Sequence, residues 1–310
     1  QGVEIWFCMW FYGTCLSILI HGGLEIIFGK DHVLTKWLPV CASLVMTQCA
    51  WLVDPQDKLM RGILAMAGGF YCFRSSQVFL EKRFENEPLL YRMLHVGCTF
   101  HDIQICKRGV ENRLELFWRY IIGLVTSTIG LCSSIAVIYY SKLLEQSQQR
   151  VAIAVAGGCY ALFSLDVFGR VLQLVFIPFG LELPDLNRCP LVSTTLREFW
   201  GKRWDTVIQE ILQHYIYVPL RHRSVSHPVA VFCTFAASGL IHVWPLIFAG
   251  LGLWSFLSVM CYFISQCLLL YVEESIKVPT WSSAILKNSW VLIAAGVPLP
   301  LIVDPTLSLM

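Results

Sequence analysis

The sequence predicts an all-α, polytopic integral membrane protein with about eight transmembrane helices and additional amphipathic helices at the membrane interface. Composition is the first observation that predicts this class, because 56% of the 310 residues are hydrophobic and only 14% are charged. A soluble domain usually carries about 25% charged residues, so this chain has too little polar surface to cover a water-facing globule. The second observation is a set of apolar runs as long as the roughly 20 residues that a helix needs to span a bilayer.

The apolar runs give the predicted spans in chain order. The first five are Ile5–Ile20, Leu38–Val53, Gly62–Phe79, Tyr120–Tyr140 and Val151–Leu181. The next run, Pro228–Val272, is 45 residues long and contains no Asp, Glu, Lys or Arg, so it must form two spans joined by a turn near Gly250. The eighth span is predicted at Trp290–Val303, which Pro298 and Pro300 interrupt.

The distribution of basic residues predicts the orientation in the membrane. With eight spans, the loops on one side hold 19 of the 23 Lys and Arg residues. Loops rich in Lys and Arg remain in the cytosol, so these large basic loops are predicted to be cytosolic. Residues 81–115 form one such segment, and their regular apolar positions predict one or two helices on the membrane surface.

Charge and cysteine content exclude other classes of protein. A net charge of +2 argues against nucleic acid as a partner. Most of the 13 Cys residues lie within apolar runs and are interpreted as small buried hydrophobic residues, not as a disulfide framework. No metal centre is expected, because the cluster of His95, Cys98, His101 and Cys106 matches no common zinc spacing. The chain begins at Gln1 and not at Met, so further N-terminal residues are expected.

Residues 193–220 carry a strong amphipathic pattern. Thr195 and Glu198 have the spacing of a capping box at a helix N-terminus. Apolar and aromatic side chains recur on one arc with the 3.6-residue helical period, and polar side chains, Asp205 among them, lie on the other. The pattern alone predicts one helix in the membrane interface, with its aromatic residues at the acyl boundary and Asp205 in water.

His242 is the one ionisable side chain in the run 228–272 when Tyr and Cys are set aside. A His in the middle of a membrane is costly and by default indicates a functional site. The alternative is a neutral core His bonded to a backbone carbonyl. A functional His at this position could accept a proton near neutral pH. In an earlier span, Asp166 and Arg170 are four residues apart and are predicted to pair on one helix face.

Three motifs follow one another between residues 188 and 242. They are Phe199-Trp200-Gly201-Lys202-Arg203-Trp204-Asp205, then Tyr217-Val218-Pro219-Leu220-Arg221, then Ser238-Gly239-Leu240-Ile241-His242. With this set, the chain resembles the plant-type wax synthases, which are long-chain-alcohol O-fatty-acyltransferases of the membrane-bound O-acyltransferase superfamily. Plant wax synthases mostly have Asn at the position of Asp205, and the superfamily uses both residues.

The resemblance implies an O-acyltransferase that moves a fatty acyl group from acyl-CoA to a lipid hydroxyl. It implies that His242 is the catalytic base, that Asp205 is the second polar residue of the active site, and that the helices surround a central chamber. A hydroxyl group is a poor nucleophile until a base removes its proton, which fits the imidazole of His242. Direct transfer is expected, with acyl-CoA as co-substrate and no resident cofactor.

An acyl-CoA molecule has a charged head and a long apolar tail. Basic side chains suit the phosphates of the head, and aromatic side chains suit the tail. The residues expected to bind acyl-CoA are Phe199, Trp200, Lys202, Arg203, Trp204, Arg221 and Arg223. The alternative is that the basic residues only set the topology and the aromatic residues only anchor the segment at the interface.

Two further functions remain open. A transporter or channel could use His242 and Asp166 as a proton relay, although it would favour two matching halves and the sequence has no internal repeat. A membrane scaffold without catalysis is the third interpretation, and the lone buried His argues against it. The acyltransferase interpretation predicts one domain over residues 1–310, with 188–242 as its signature segment, in the endoplasmic reticulum. Its predicted partners are acyl-CoA, a lipid alcohol or other hydroxylated lipid, and the bilayer.

Overall fold

The computed structural model describes residues 33–80, 110–276 and 283–307, together with isolated positions before residue 110 (23, 25–29, 84, 86, 87, 92, 95, 104 and 105). The contacts divide the chain into two compact units. The first unit takes its described residues from 1–103 and from 243–253, and the second takes its own from 104–242 and 254–308. The single domain over residues 1–310 stays a prediction.

The continuously described part of the first unit before residue 81 holds the helices α1 (Val33–Gln48) and α2 (Lys58–Leu80), with a 3-10 turn at Cys49–Leu52 between them. The helices pack closely, because a Cβ atom on Gly68 would lie 2.8 Å from the Thr47 backbone. Residues 243–253 also pack in this unit. The Trp244 indole donates a hydrogen bond to the Ala65 carbonyl at 3.2 Å.

Among its described residues, the second unit has six helices of eight or more residues and a small two-stranded ribbon. The helices are α3 (Val110–Tyr140), α4 (Gln146–Phe176), α8 (His227–Phe248), α9 (Leu253–Ile276), α10 (Ala284–Gly296) and α11 (Pro300–Leu307). Only residues 227–242 of α8 belong to this unit. The ribbon pairs β1 (Gln104–Ile105) with β2 (Leu181–Glu182) in antiparallel register. Three 3-10 turns lie at Ser141–Leu143, Ile177–Phe179 and Pro190–Val192.

The segment between α4 and α8 is a chain of short helical pieces and not the one continuous helix that the amphipathic pattern predicted over 193–220. The pieces are α5 (Leu196–Glu198), a π-turn at Phe199–Arg203, α6 (Thr206–Leu212), a π-turn at Gln213–Tyr217 and α7 (Val218–His222). The predicted single helix is wrong because Asp205 takes a left-handed backbone conformation with φ 39°. A single residue in this region interrupts a right-handed helix.

Four described helical stretches are long and apolar enough to cross a membrane. They are Arg113–Leu143, Gln146–Phe179, His227–Phe248 and Leu253–Ile276. A fifth span is possible if α10 and α11, which bend by 47° at the predicted proline break, count as one. The turn near Gly250 is confirmed, since Gly250 follows α8 with φ 72°. The chain is therefore an integral membrane protein by the length and composition of its helices.

The other predicted spans have different outcomes. The span at residues 5–20 lies outside the described residues. The spans at 38–53 and 62–79 coincide with α1 and α2, of which α1 has only 16 residues, and neither is among the four. The interfacial segment 81–115 also lies largely outside the described residues, and only its last residues form the first turns of α3. The count of about eight spans and the central chamber therefore remain predictions.

Candidate active site

His242 lies on α8 in the second unit, and its ring is half-buried. Its Nδ1 atom is 2.8 Å from the backbone carbonyl oxygen of Ser238. A carbonyl oxygen can only accept a hydrogen bond, so Nδ1 must be the protonated nitrogen. In the neutral imidazole, the lone pair then lies on Nε2. His242 is thus bonded to a backbone carbonyl, as one of its two interpretations expected. The same hydrogen bond leaves the Nε2 lone pair available to act as a base, so this bond is compatible with the other interpretation as well.

The helix α9 packs directly against His242. The ring centroids of His242 and Phe263 are 4.6 Å apart. Gly239 also lies against α9, because a Cβ atom at this position would lie 2.8 Å from the sulfur of Met260 and 3.4 Å from the Cβ atom of Phe263, so the Met260 side chain would have to shift. In the motif Ser-Gly-x-x-His, the backbone carbonyl four residues before the His binds its ring, and the Gly leaves room for Met260 of α9.

Trp200 connects the signature segment to the helices that carry His242. Its ring lies 6.4 Å from Phe235 on α8 and 6.4 Å from Tyr262 on α9. Phe235 precedes His242 by seven residues, so the two share a face of α8 about two turns, or about 10 Å, apart. The structure therefore brings Trp200 onto the same helix pair as His242.

The aromatic residues of the signature segment pack against protein. Phe199 and Trp204 are stacked with 5.6 Å between ring centroids, and Phe199 is almost completely buried. Together with Trp200 they lie in a cluster with side chains of α9 and α10, which are Leu269, Trp290, Val291, Ala294 and Ala295. The expectation that these aromatics lie at the acyl boundary is thus wrong for Phe199, whose burial within the protein leaves almost no surface for lipid. Binding of the acyl tail by Phe199, Trp200 and Trp204 stays a prediction.

The N-terminus of α5 is fixed by half of the predicted capping box, by a return bond from Glu198 to Thr194 in place of Thr195, and by a carboxylate from α9. The Glu198 N–H donates to the Thr195 hydroxyl at 3.0 Å, and the Thr194 N–H donates to the Glu198 carboxylate at 2.9 Å. This backbone donor holds the pKa of Glu198 below its usual value. The carboxylate of Glu273 accepts from the Leu196 N–H at 2.8 Å and from the Trp290 indole at 3.1 Å.

Asp205 occupies the N-cap of α6. Its carboxylate accepts from the Ile208 N–H at 3.2 Å, and its own N–H donates to the Asn187 side-chain oxygen at 2.9 Å. Desolvation by the surrounding protein raises the pKa of Asp205 to about 6. Asp205 is therefore not the freely solvated residue of the amphipathic interpretation.

Asn187 is a bridge between Asp205 and the span α4. It is 4% exposed, and its side-chain N–H group donates to Asp166 at 2.9 Å. The predicted pair of Asp166 with Arg170 is wrong, because Arg170 forms its salt bridge with Asp185. The loop after α4 folds back along the helix, and it supplies Asn187 as the partner of Asp166 and Asp185 as the partner of Arg170.

The predicted acyl-CoA head site contains two kinds of basic residue. Arg203 pairs with Glu198 at 2.7 Å, and Arg221 donates to the Val225 carbonyl at 2.6 Å. Lys202 and Arg223 are exposed, and neither forms a salt bridge within the described part of the chain. Lys202 and Arg223 are thus the more available cations for a phosphate, although binding stays a prediction for all four.

The structure does not join the two predicted catalytic residues directly. Within residues 110–276, His242 and Asp205 share no hydrogen bond, and their partners are Ser238 and Phe263 for the former and Asn187 and Ile208 for the latter. Sequence reasoning missed Asn187, Gln266 and Glu273 as partners of the signature segment. The signal for the last two was present, since each is a polar residue on the face of α9 that carries Tyr262.

The fold and the site define a polytopic membrane protein with a histidine in one span and an aromatic signature segment packed on the same helix pair. Residues 183–265 match the family described as "Membrane bound O-acyl transferase family". This match confirms the resemblance to that superfamily. It extends over the signature segment, His242, and the part of α9 that carries Tyr262 and Phe263.

Curated relatives support the resemblance to the wax synthase-like subgroup. The chain is 37% identical over 83 residues to probable long-chain-alcohol O-fatty-acyltransferase 3 of Arabidopsis thaliana, a stretch that covers 24% of each chain. It is 40% identical over 79 residues to acyl-CoA–sterol O-acyltransferase 1 of the same plant, covering 23% of this chain and 22% of the relative. The matched stretch is therefore about a quarter of each relative's length. These names do not favour the transporter alternative.

Proposed function

We propose that this chain is an acyl-CoA-dependent O-acyltransferase that esterifies a lipid hydroxyl, with a long-chain alcohol or a sterol as acceptor. The observation that carries the proposal is the hydrogen bond from His242 Nδ1 to the Ser238 carbonyl, 2.8 Å long, because it directs the lone pair to Nε2. The confirmed resemblance supplies the reaction class, and the relatives' names supply the two acceptor classes.

The chemistry follows from this tautomer. Nε2 of His242 takes the proton of the acceptor hydroxyl while the alcohol oxygen attacks the thioester carbonyl carbon. A C–O bond forms, the C–S bond breaks, and the imidazolium returns the proton to the coenzyme A thiolate. General base catalysis of this kind typically contributes about 10²–10⁴-fold to a rate. This function suits a protein of the endoplasmic reticulum membrane whose large basic loops face the cytosol, where acyl-CoA is available.

A panel of acceptors tests the reaction. Microsomes that contain the wild-type protein are supplied with labelled palmitoyl-CoA and with hexadecanol, a sterol, diacylglycerol or an isoprenoid alcohol. We expect a new ester with hexadecanol or the sterol, and one molecule of free coenzyme A for each ester. Mass spectrometry of the lipid products measures the ester, and a thiol assay of the aqueous phase measures the free coenzyme A. If no acceptor gives an ester and coenzyme A release equals that of empty microsomes, the proposed function is wrong.

The exposed cations Lys202 and Arg223 are expected to contribute to acyl-CoA binding. Lys202→Gln and Arg223→Gln should each raise KM for palmitoyl-CoA about three- to tenfold, with kcat nearly unchanged, because a charge-assisted hydrogen bond to a phosphate contributes about 1 kcal/mol at an exposed site. The increase should shrink at high salt. Steady-state kinetics at two ionic strengths measure it.

Lys142→Gln is the matched control for these two variants, since Lys142 is a basic residue in the turn after α3, where it lies over the Tyr139 ring. Its KM should equal that of the wild type. An unchanged KM in both Lys202→Gln and Arg223→Gln would remove these residues from the head site.

A further inference from the structure

Gln266 is a polar side chain in the middle of α9, and it is completely buried. Its Oε1 atom accepts a hydrogen bond from the indole N–H of Trp200 at 3.1 Å. Its Nε2 atom donates to the backbone carbonyls of Ala294 at 3.3 Å and Ala295 at 3.4 Å. One side chain on α9 thus joins the signature segment to α10.

The two carbonyls need this donor because of the proline break after α10. In a continuous helix, the Ala294 carbonyl would accept from the N–H of residue 298, but Pro298 has none. The Ala295 carbonyl would accept from Leu299, whose N–H instead bonds to the Gly296 carbonyl at 3.0 Å. A backbone carbonyl without a hydrogen-bond donor is costly wherever water is excluded. Gln266 therefore compensates for the break and fixes its position against α9.

The same face of α9 also contacts His242. Phe263 and Tyr262 precede Gln266 by three and four residues, which is the spacing of neighbours on one helix face. Phe263 packs against the His242 ring, and Tyr262 packs against Trp200. Gln266 thus lies one helical turn from the His242 contact, at the point where Trp200 is held.

We propose that Gln266 is a positioning residue for acyl transfer: through Trp200 it sets the place of the signature segment relative to His242, and through the two carbonyls it holds the broken helix α10 in register with both. The proposal rests on the proposed function. Gln266 touches no reacting atom in this arrangement, so its effect is on the orientation of groups and not on the chemistry itself.

Two variants remove different sets of the hydrogen bonds that Gln266 makes. Gln266→Leu removes all three, whereas Trp200→Phe removes only the indole donor and keeps an aromatic ring. We expect kcat to fall about tenfold in each folded variant, with KM values for palmitoyl-CoA and the acceptor within about twofold of wild type, because misplacement by a fraction of an ångström lowers catalysis. The double variant should be no slower than Gln266→Leu, since both changes remove the same bond.

Gln173→Leu is the matched control, because Gln173 is also a buried glutamine in a span and donates to the Leu183 carbonyl at 2.9 Å. Its effect should add to that of Trp200→Phe. A folded Gln266→Leu variant with wild-type kcat would overturn the proposal, as would strict additivity with Trp200→Phe.

Two outcomes need a second measurement. If Gln266→Leu does not fold, Trp200→Phe alone is decisive, and an unchanged kcat in that variant overturns the proposal. If the wild type makes no ester, the proposed function fails and the positioning role fails with it. Melting temperatures of the four proteins in the cycle would then still show whether Trp200 and Gln266 are coupled, which separates a wrong reaction from a wrong contact.

Discussion

Replacing His242 by Ala is expected to lower the rate of ester formation by about 10²–10⁴-fold, which is the usual contribution of a general base. The hydrogen bond from Nδ1 to the Ser238 carbonyl is 2.8 Å long and leaves Nε2 unprotonated in the neutral ring. Removal of the imidazole therefore removes the group that takes the hydroxyl proton. Ester formation by purified protein, at matched concentrations, measures the change.

A second substitution separates the chemistry of His242 from its packing. In His242→Asn, the side-chain amide can still donate to the Ser238 carbonyl, but it cannot act as a base. We expect the Asn variant to melt near the wild-type temperature and to be nearly as inactive as the Ala variant. Cys233→Ala, which removes only the sulfur atom of a half-buried side chain on the same helix, should keep wild-type activity. Near-normal turnover in a well-folded His242→Asn variant would show that the base is another group.

The sequence was sufficient to predict those features of the fold that depend on local chemistry. Apolar length located α3, α4, α8 and α9, because a helix in lipid must satisfy its own backbone and present apolar side chains. The break in the last span followed from Pro298 and Pro300 for the same local reason. His242 could be found from its isolation in an apolar run, since a costly residue requires an explanation.

Features that depend on distant contacts could not be predicted. The amphipathic period over 193–220 gives no sign that Asp205 leaves the helical region, because the left-handed conformation is stabilised by Asn187, far from it in the sequence. The spacing of Asp166 and Arg170 correctly put them on one helix face, but the pairing was decided by the loop that folds back from the end of α4.

The partners of the signature segment illustrate the same limit. Gln266 and Glu273 look like ordinary polar residues in or near the end of a span. Their seven-residue spacing places them on one face of α9, and this face receives the Trp200 indole and the Leu196 N–H. The motif that carries the family resemblance therefore covers only one side of a packed interface, and the residues of the other side could be recognised only from the arrangement of the helices.

Replacing Asp205 by Ala is expected to destabilise the protein by about 1–3 kcal/mol and to lower ester formation at least tenfold. The change removes the N-cap of α6, which typically contributes about 1 kcal/mol, and it puts Ala in a left-handed conformation with φ 39°, where Asp and Asn are tolerated better. Asp205→Asn keeps both properties, so at about pH 5, where folded wild type holds Asp205 protonated, it should melt close to wild type, and it should retain activity within a few-fold. Melting temperatures and initial rates of the three proteins measure these effects.

The difference in stability between wild type and Asp205→Asn should depend on pH, because Asp205 can ionise and Asn cannot. Desolvation raises the pKa of Asp205 to about 6 in the folded protein, whereas an unfolded Asp titrates near 3.9. Between these values the folded state binds the extra proton, so stability contributed by this group is highest at low pH and is lost as the pH rises through about 6. The loss amounts to at most about 3 kcal/mol. The pH-dependent loss of stability should disappear in Asp205→Asn. It should remain in the control variant Asp304→Asn, which changes an exposed carboxylate of α11. The contrary result would be parallel changes in the melting temperatures of wild type and Asp205→Asn between pH 4.5 and 7.5. Asp205 would then be a well-solvated N-cap, and its raised pKa would no longer support the role predicted for it in the active site.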